Sequence, residues 1–405
     1  MGIGVHRLRL PSGSSGLLRH RATAKSGAHG GILSVKNQRH VARARAAAVG
    51  VAAGVLLAGC GAANESVPAG GAAPSAGGTA LSGTISGAGA SSQQAAMQAW
   101  IAGFTGSNPD ATVNYDPAGS GAGRTQFLSG GVAFAGSDAY LKVDELTEAQ
   151  RRCGGDVVEV PAYVSPIAVV YNLQGVTDLQ LSPATVAGIF LGKITEWNAP
   201  EIAADNPGKT LPDQAVIPVH RSDDSGTTQN FTDYLNKAAP DIWTAKATGT
   251  WPVQGGEAAQ GTSGVIGAVQ GGNGTVGYAD ESQAGSLGKA LIKVGDAYTG
   301  PTAEAAANVL AESTRVEGRG DSSFAFDLNR TTTAAGTYPI VLVSYQIACS
   351  KYPDAAQAAL VKGFLTYTTS ADGQQAAAKA AGSAPLSDEL RTQITPAVTG
   401  ITAGA

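Results

Sequence analysis

Histidine is nearly absent from the body of this chain. Of 5 His in 405 residues, His6, His20, His29 and His40 fall within the first 59 positions, and only His220 follows. A hydrolase built on a His base, or a His-rich metal centre, therefore has one candidate residue. Cysteine is equally scarce, with Cys60, Cys153 and Cys349 far apart and no paired-Cys zinc spacing. There is no Gly-x-x-x-x-Gly-Lys-Ser/Thr phosphate loop and no Gly-x-Ser-x-Gly elbow. These absences leave the familiar catalytic constellations without their parts, although two-carboxylate chemistry needs none of them. No metal ligand set and no cofactor motif is found.

Acidic residues are missing from one region only. Residues 1–59 carry nine Lys or Arg and no Asp or Glu, which leaves 18 basic against 31 acidic residues in 60–405, a formal charge of −13. Such an acidic body excludes nucleic acid as a partner, because binding it requires a basic stripe that displaces counterions. An anion would have to be captured by local donors.

The apolar stretch Ala46–Gly59 has 14 residues, short of the ~20 that cross a bilayer. It follows Arg39, Arg43 and Arg45 and exits through Leu57-Ala58-Gly59-Cys60, the layout of a secretory signal. Leu-Ala-Gly-Cys resembles the lipobox of bacterial lipoproteins, in which the Cys is acylated, for example with palmitate, before cleavage. Residues 1–59 are thus expected to be a leader and Cys60 a lipidation site. Residues 60–80, rich in Gly, Ala, Ser and Pro, read as a flexible tether with a reach of roughly 25 Å. In an oxidising compartment the remaining Cys153 and Cys349 either form a disulfide or stay as two buried thiols.

From Leu81 onward short β-like runs alternate with helical ones, as in an α/β fold. Ser91-Ser92 leads into a helix bearing Met97, Trp100, Ile101 and Phe104, and Gly119-Ser120 into another with Phe127 and Leu128. Val157–Tyr163 and Ile167–Tyr171 read as strands crossing into a second domain, and Tyr338–Tyr345 as a strand that crosses back. Ser182-Pro183 caps a helix, a further helix lies near Thr302–Leu310, and two helices, around Ala355–Tyr367 and Asp372–Ala381, are expected to finish the chain.

The densest chemistry lies in Arg221-Ser222-Asp223-Asp224-Ser225-Gly226-Thr227, between the β-prone run Ala215–His220 and a helix carrying Phe231 and Leu235. A strand-to-helix junction offers free N–H groups and the positive end of a helix dipole. Ser91-Ser92, Ser120 and Ser225-Gly226-Thr227 are each Ser or Thr in a Gly-rich turn before a helix. One alone is an N-cap, and Arg221 with Asp223 alone is an ordinary surface pair. Converging with Arg221, they would make a cage for a tetrahedral oxyanion, with Asp223 orienting the guanidinium. Asp138, at the end of the run Val132–Asp138, would repel an anion unless the ligand has a proton to donate. That condition selects phosphate over sulfate.

At these residues the sequence resembles the periplasmic phosphate-binding protein (PstS) family of high-affinity phosphate ABC importers. The resemblance runs through most of Leu81–Ala381, on Gly87-Ala88-Gly89-Ala90-Ser91, Gly119-Ser120-Gly121, Gly136-Ser137-Asp138-Ala139, Ile189–Asn198, Arg221–Thr227 and Gly277-Tyr278. It implies an α/β two-lobe periplasmic-binding-protein-like clamp (type II) with two hinge crossovers, lobe I formed by 81–162 plus 340–405 and lobe II by 163–339. It also implies phosphate ligands at Ser91, the backbone of Ser92, Ser120, Asp138, Arg221, Ser225, the N–H of Gly226, and Thr227, with Asp223 orienting Arg221. Ser91 stands where Thr is common and Ser92 where Phe is common. Cys153 and Cys349 would flank the hinge on lobe I, where pairing is geometrically feasible. The implied role is a non-enzymatic, exported, lipid-anchored monomer on the extracytoplasmic face of the cell membrane, delivering inorganic phosphate to permease subunits. The rival expectations are a receptor for sulfate or molybdate, and a phosphoester hydrolase using the same cage.

Overall fold

The computed structural model describes residues 80–404. The expected leader, all but the last residue of the tether, and Cys60 lie outside the described residues.

One strand organises the rest. Val157–Asn172 is 16 residues long and buried along nearly its whole length, as its run of Val, Ile, Ala and Tyr demands of a strand covered on both faces. The sequence suggests two strands here, broken near Pro166, and the structure joins them. Residues 157–166 pair antiparallel with Val341–Cys349, whereas Ile167–Asn172 pair antiparallel with Thr275–Asp280. Pro166 stands at this change of partner. Pro161 stands beside the register shift opposite Ser344/Tyr345. A residue without an N–H is tolerated inside a sheet at such interruptions.

Nine strands share this sheet, in the order Ala111–Asp116, Gly83–Gly89, Phe134–Ser137, Val341–Cys349, Val157–Asn172, Thr275–Asp280, Ile217–Arg221 and Glu257–Ala259, with Gly288–Lys289 pairing the crossing strand. The strands before the crossing build one lobe, and those between the crossing and the return build the other. At the hinge the two passes touch, Ile167 N–H donating to the Ile340 carbonyl at 2.7 Å. This is the α/β two-lobe clamp that the sequence leads one to expect.

Helices cover both faces. Gln94–Ser107 buries Met97, Trp100 and Phe104 and is tied to Ala371–Ala381 by the Trp100 indole donating to the Gly373 carbonyl at 2.8 Å. Beyond the two expected C-terminal helices the structure adds a third, Asp388–Thr399, which contains Pro396. Ser387 caps it, and its apolar stripe is only Leu390, Ile394 and Val398, of which Ile394 and Val398 are buried. So thin a stripe in a polar segment gives little periodic signal. Val143–Cys153 is likewise a helix that carries one disulfide partner to the end of Val341–Cys349. Cys153 and Cys349 are bonded, with Cα atoms 5.2 Å apart and a sequence separation of 196. Closing so long a loop removes about 5 kcal/mol of unfolded-state entropy on the chain-entropy model.

Candidate functional site

Four strands deliver side chains at their carboxyl ends, the edge where open α/β sheets hold ligands. Gly83–Gly89 is followed by Ser91 and Ser92, Ala111–Asp116 by Ser120, Phe134–Ser137 by Asp138, and Ile217–Arg221 ends on Arg221 itself. Helices begin immediately afterwards at Gln94, Ser120 and Gly226, so their N–H groups and dipoles point into one region.

Asp138 is the centre of that region. Its Oδ1 accepts from Ser92 Oγ at 2.7 Å and from Ser344 Oγ at 2.6 Å. Its Oδ2 accepts from Thr227 Oγ1, across the cleft, at 2.9 Å. The backbone is gripped as well: Asp138 N–H donates to Ser120 Oγ at 3.2 Å, and its carbonyl accepts from Asn230 Nδ2 at 2.7 Å. Burial pushes the Asp138 pKa above its ordinary value, opposed by the hydroxyls of Ser344, Ser92 and Thr227 and by the Arg221 charge. Two carboxylate oxygens offer about four acceptor positions. Three are filled here, and the fourth lies on Oδ2.

Arg221 comes from the other lobe and is held by three hydrogen bonds to two residues. Its Nε and Nη2 form a fork with Asp223, at 2.8 and 2.5 Å, and its backbone N–H donates to the Tyr278 hydroxyl at 3.2 Å. Tyr278 in turn shares a 2.7 Å bond with Thr228 Oγ1 and stacks on Phe231 at 4.3 Å. Burial raises the Asp223 pKa, but the Arg221 bonds and charge, with the Gly261 N–H, outweigh it and hold the carboxyl below its usual range. Asp223 is therefore an anion that fixes the cation. Arg221 Nη1 has no partner among the described residues.

The expected residues thus converge, with two refinements. Ser225 Oγ accepts from Thr228 N–H at 3.2 Å, which caps the helix Gly226–Ala238 and leaves its own proton to donate. Ser92 contributes its side chain to Asp138, where the sequence pointed to its backbone. His220 has no place in the cage, being stacked on Trp251 at 4.9 Å. Gly226 is one point where the lobes meet closely: a Cβ there would lie 2.6 Å from Ser120 Oγ and 2.7 Å from Asp138 Cβ.

Sequence reasoning missed several contributors. Ser344 lies within a strand and carries no local signal. Asn230 links Asp138 to the buried Arg330, whose Nη1 donates to the carbonyls of Pro339 and Val341 beside the hinge. Thr262 opens the helix Gly261–Gly271, and the Gly-Thr-Ser-Gly run there fits the same turn-before-helix criterion as Ser91, Ser120 and Ser225, so it could have been found.

With this geometry in view, the relatives are informative. Residues 74–372 match the PBP superfamily domain. The chain is 36% identical over 367 residues to the phosphate-binding protein PstS 3 of Mycobacterium tuberculosis, covering 88% of this chain and 98% of that relative. Against PstS 2 of the same organism it is 34% identical over 375 residues, with 89% and 99% coverage. The chain belongs to the PstS family. A high-affinity periplasmic phosphate-binding protein, solved with phosphate bound at pH 8.5, has the same fold, with a TM-score of 0.62, 25% identity, and coverage of 79% of this chain and 99% of that one. Among the described residues no helix is long and apolar enough to cross a bilayer.

A second buried carboxylate lies at the hinge. Asp280, paired with Ile167, accepts from Tyr163 at 2.9 Å and from Ser282 N–H at 3.1 Å on Oδ1, while Oδ2 has no partner among the described residues. Burial pushes its pKa from 3.8 to about 7, against the hydroxyls of Ser282, Ser165 and Tyr163, with the Asp138 charge adding to the rise. A carboxyl whose folded pKa exceeds its unfolded one contributes stability that is complete below about 3.8 and lost as pH rises through about 7. Asp138 acts in the same direction. In urea titrations without phosphate, stability is expected to fall across this window, and Asp280→Asn to flatten the fall by at most about 4 kcal/mol. Equal slopes in the two proteins would refute the assignment.

Proposed function

We propose that this protein captures inorganic phosphate outside the cytoplasm and passes it to the permease of an ABC importer, without chemistry on the ligand. The observation that carries this reading is Asp138: a buried carboxylate in an anion cage, with one acceptor position left, is matched by an oxyanion that bears a proton. Phosphate has one at neutral pH and sulfate does not. Arg221 supplies the charge, the hydroxyls of Ser91, Ser120 and Ser225 and the N–H groups of Ser92 and Gly226 supply the remaining donors, and Thr227, whose hydroxyl proton goes to Asp138 Oδ2, ties the two lobes together at the cage. The lobes divide as 81–162 plus 340–405 and 163–339. Closure between them assembles the cage, since Ser120 and Asp138 come from one and Arg221 to Thr227 from the other.

Leu57-Ala58-Gly59-Cys60 and the Gly/Ala/Ser/Pro-rich segment after it support acylation at Cys60 and a monomer tethered to the outer face of the membrane. Detergent-phase partitioning, with Cys60→Ala as the control, tests the anchor. Calorimetry with phosphate and sulfate tests the function. The unmodified protein should bind phosphate and discriminate against sulfate. Asp138→Asn turns the acceptor into a donor, so phosphate affinity is expected to drop ~10- to 100-fold while sulfate affinity rises. Equal affinities for the two anions in the unmodified protein would sink the protonated-ligand argument.

A further inference from the structure

The turn Ser91–Ser92 is held by residues of the opposite lobe that lie outside the ligand set. Ser91 Oγ accepts from Thr262 N–H at 3.1 Å and shares a 3.0 Å bond with Thr262 Oγ1. Gln283 Nε2 donates to the Ser91 carbonyl at 2.9 Å and to that of Ser92 at 3.3 Å. The Thr262 segment also fixes the second lobe's own half of the site, and the Gln283 segment adjoins the hinge. Gly261 N–H, beside Thr262, donates to Asp223 Oδ1 at 3.0 Å, and Gln283 follows the turn begun by Asp280 at the hinge. Ser91, Ser92 and Thr262 are each at most 5% exposed, so water competes poorly for these bonds.

We propose that Thr262 and Gln283 are positioning residues that latch the first lobe's Ser91–Ser92 turn to the second lobe, and that they set how long the ligand stays bound. Thr262 N–H occupies an acceptor position on Ser91 Oγ. The Ser91 proton is then left to the ligand or to Thr262 Oγ1, its one protein acceptor among the described residues. Gln283 satisfies the carbonyls that end the turn and thereby orients the Ser92 N–H that follows from the same backbone. Every one of these bonds spans the cleft, so each exists only when the clamp is shut. Their loss should act on opening, and hence on dissociation, while the encounter of ligand with the open form is untouched.

The inference rests on the phosphate reading above, and the test separates the two. Phosphate association and dissociation are followed by stopped-flow tryptophan fluorescence for the unmodified protein, Thr262→Val, Thr262→Ser and Gln283→Leu. Thr262→Val keeps the N–H and removes the hydroxyl, so dissociation should quicken ~3- to 10-fold; Gln283→Leu removes both side-chain bonds, leaving the Ser91 carbonyl only the long 3.4 Å bond from Gln94 N–H, and should quicken it ~10-fold. Association should change less than about 2-fold in both, thermal midpoints without phosphate should stay close to the unmodified value, and Thr262→Ser should restore slow release. The phosphate-over-sulfate ratio should not move, since Asp138 is untouched. Unchanged dissociation in both variants, or losses carried by slower association, would overturn the latch. No phosphate signal in the unmodified protein would instead overturn the function. If Thr262→Val fails to fold, Gln283→Leu decides alone.

Discussion

Gly226→Ala is expected to hold the clamp ajar and weaken phosphate binding by ~10²- to 10³-fold, because a single methyl group would occupy the line along which the lobes meet. The added Cβ would lie 2.6 Å from Ser120 Oγ, 2.7 Å from Asp138 Cβ and 3.0 Å from Asp138 Cα. The serine could rotate, but the aspartate cannot give way. Its N–H is tied to Ser120, its carbonyl to Asn230, and its carboxylate to Ser92, Ser344 and Thr227. Relief must come from separating the lobes, which moves Thr227 and the Gly226 N–H away from the first lobe. Within its own lobe the substitution is harmless, since alanine at the start of Gly226–Ala238 is a better helix former than glycine. The thermal midpoint without phosphate should therefore hold, while the rise caused by phosphate should largely vanish. Small-angle scattering should show no compaction on adding ligand. Tight binding with normal compaction would contradict the close approach at Gly226.

Arg221→Ala should cost more, at least ~10³-fold in phosphate affinity, because two effects act in the same direction. The mutation removes the cation whose Nη1 has no partner among the described residues, and it also releases Asp223. With Arg221 present that carboxylate is neutralised by a fork of two hydrogen bonds. Without it, a partly buried anion beside the site would repel the ligand. Arg221→Lys should recover only part of the loss, since an ammonium cannot fork to Asp223 and face the ligand at once. Adding Asp223→Ala to Arg221→Ala should regain some affinity by removing the repulsion. Calorimetry measures all four proteins, and a loss under ~10-fold for Arg221→Ala would show that the guanidinium does not face the anion.

The parts of the fold that were legible are those in which local pattern and tertiary environment agree. The helix Gln94–Ser107 shows its buried stripe of Met97, Trp100 and Phe104 in sequence, and Pro183–Phe190 shows its cap at Ser182. Asp388–Thr399 does not, because its helicity depends on the core that receives Ile394 and Val398. Val157–Asn172 reads as two strands because Pro161 and Pro166 look like breaks. Only the sheet reveals that one lies beside a bulge and the other at a change of partner, where no ladder bond is lost.

The site divides in the same way. Arg221, Asp223, Ser225, Gly226 and Thr227 lie within seven residues, and their chemistry is stated by composition and spacing alone. Sequence also determined the acidic charge of the body, the scarcity of histidine, and the requirement that Asp138 find a proton donor. What only tertiary structure decided is who stands across the cleft. Ser344 is 206 residues from Asp138, Thr262 is 171 from Ser91, and Gln283 is 192 from Ser91. A hydrogen bond between such residues depends on sheet order and lobe closure, which no local periodicity encodes.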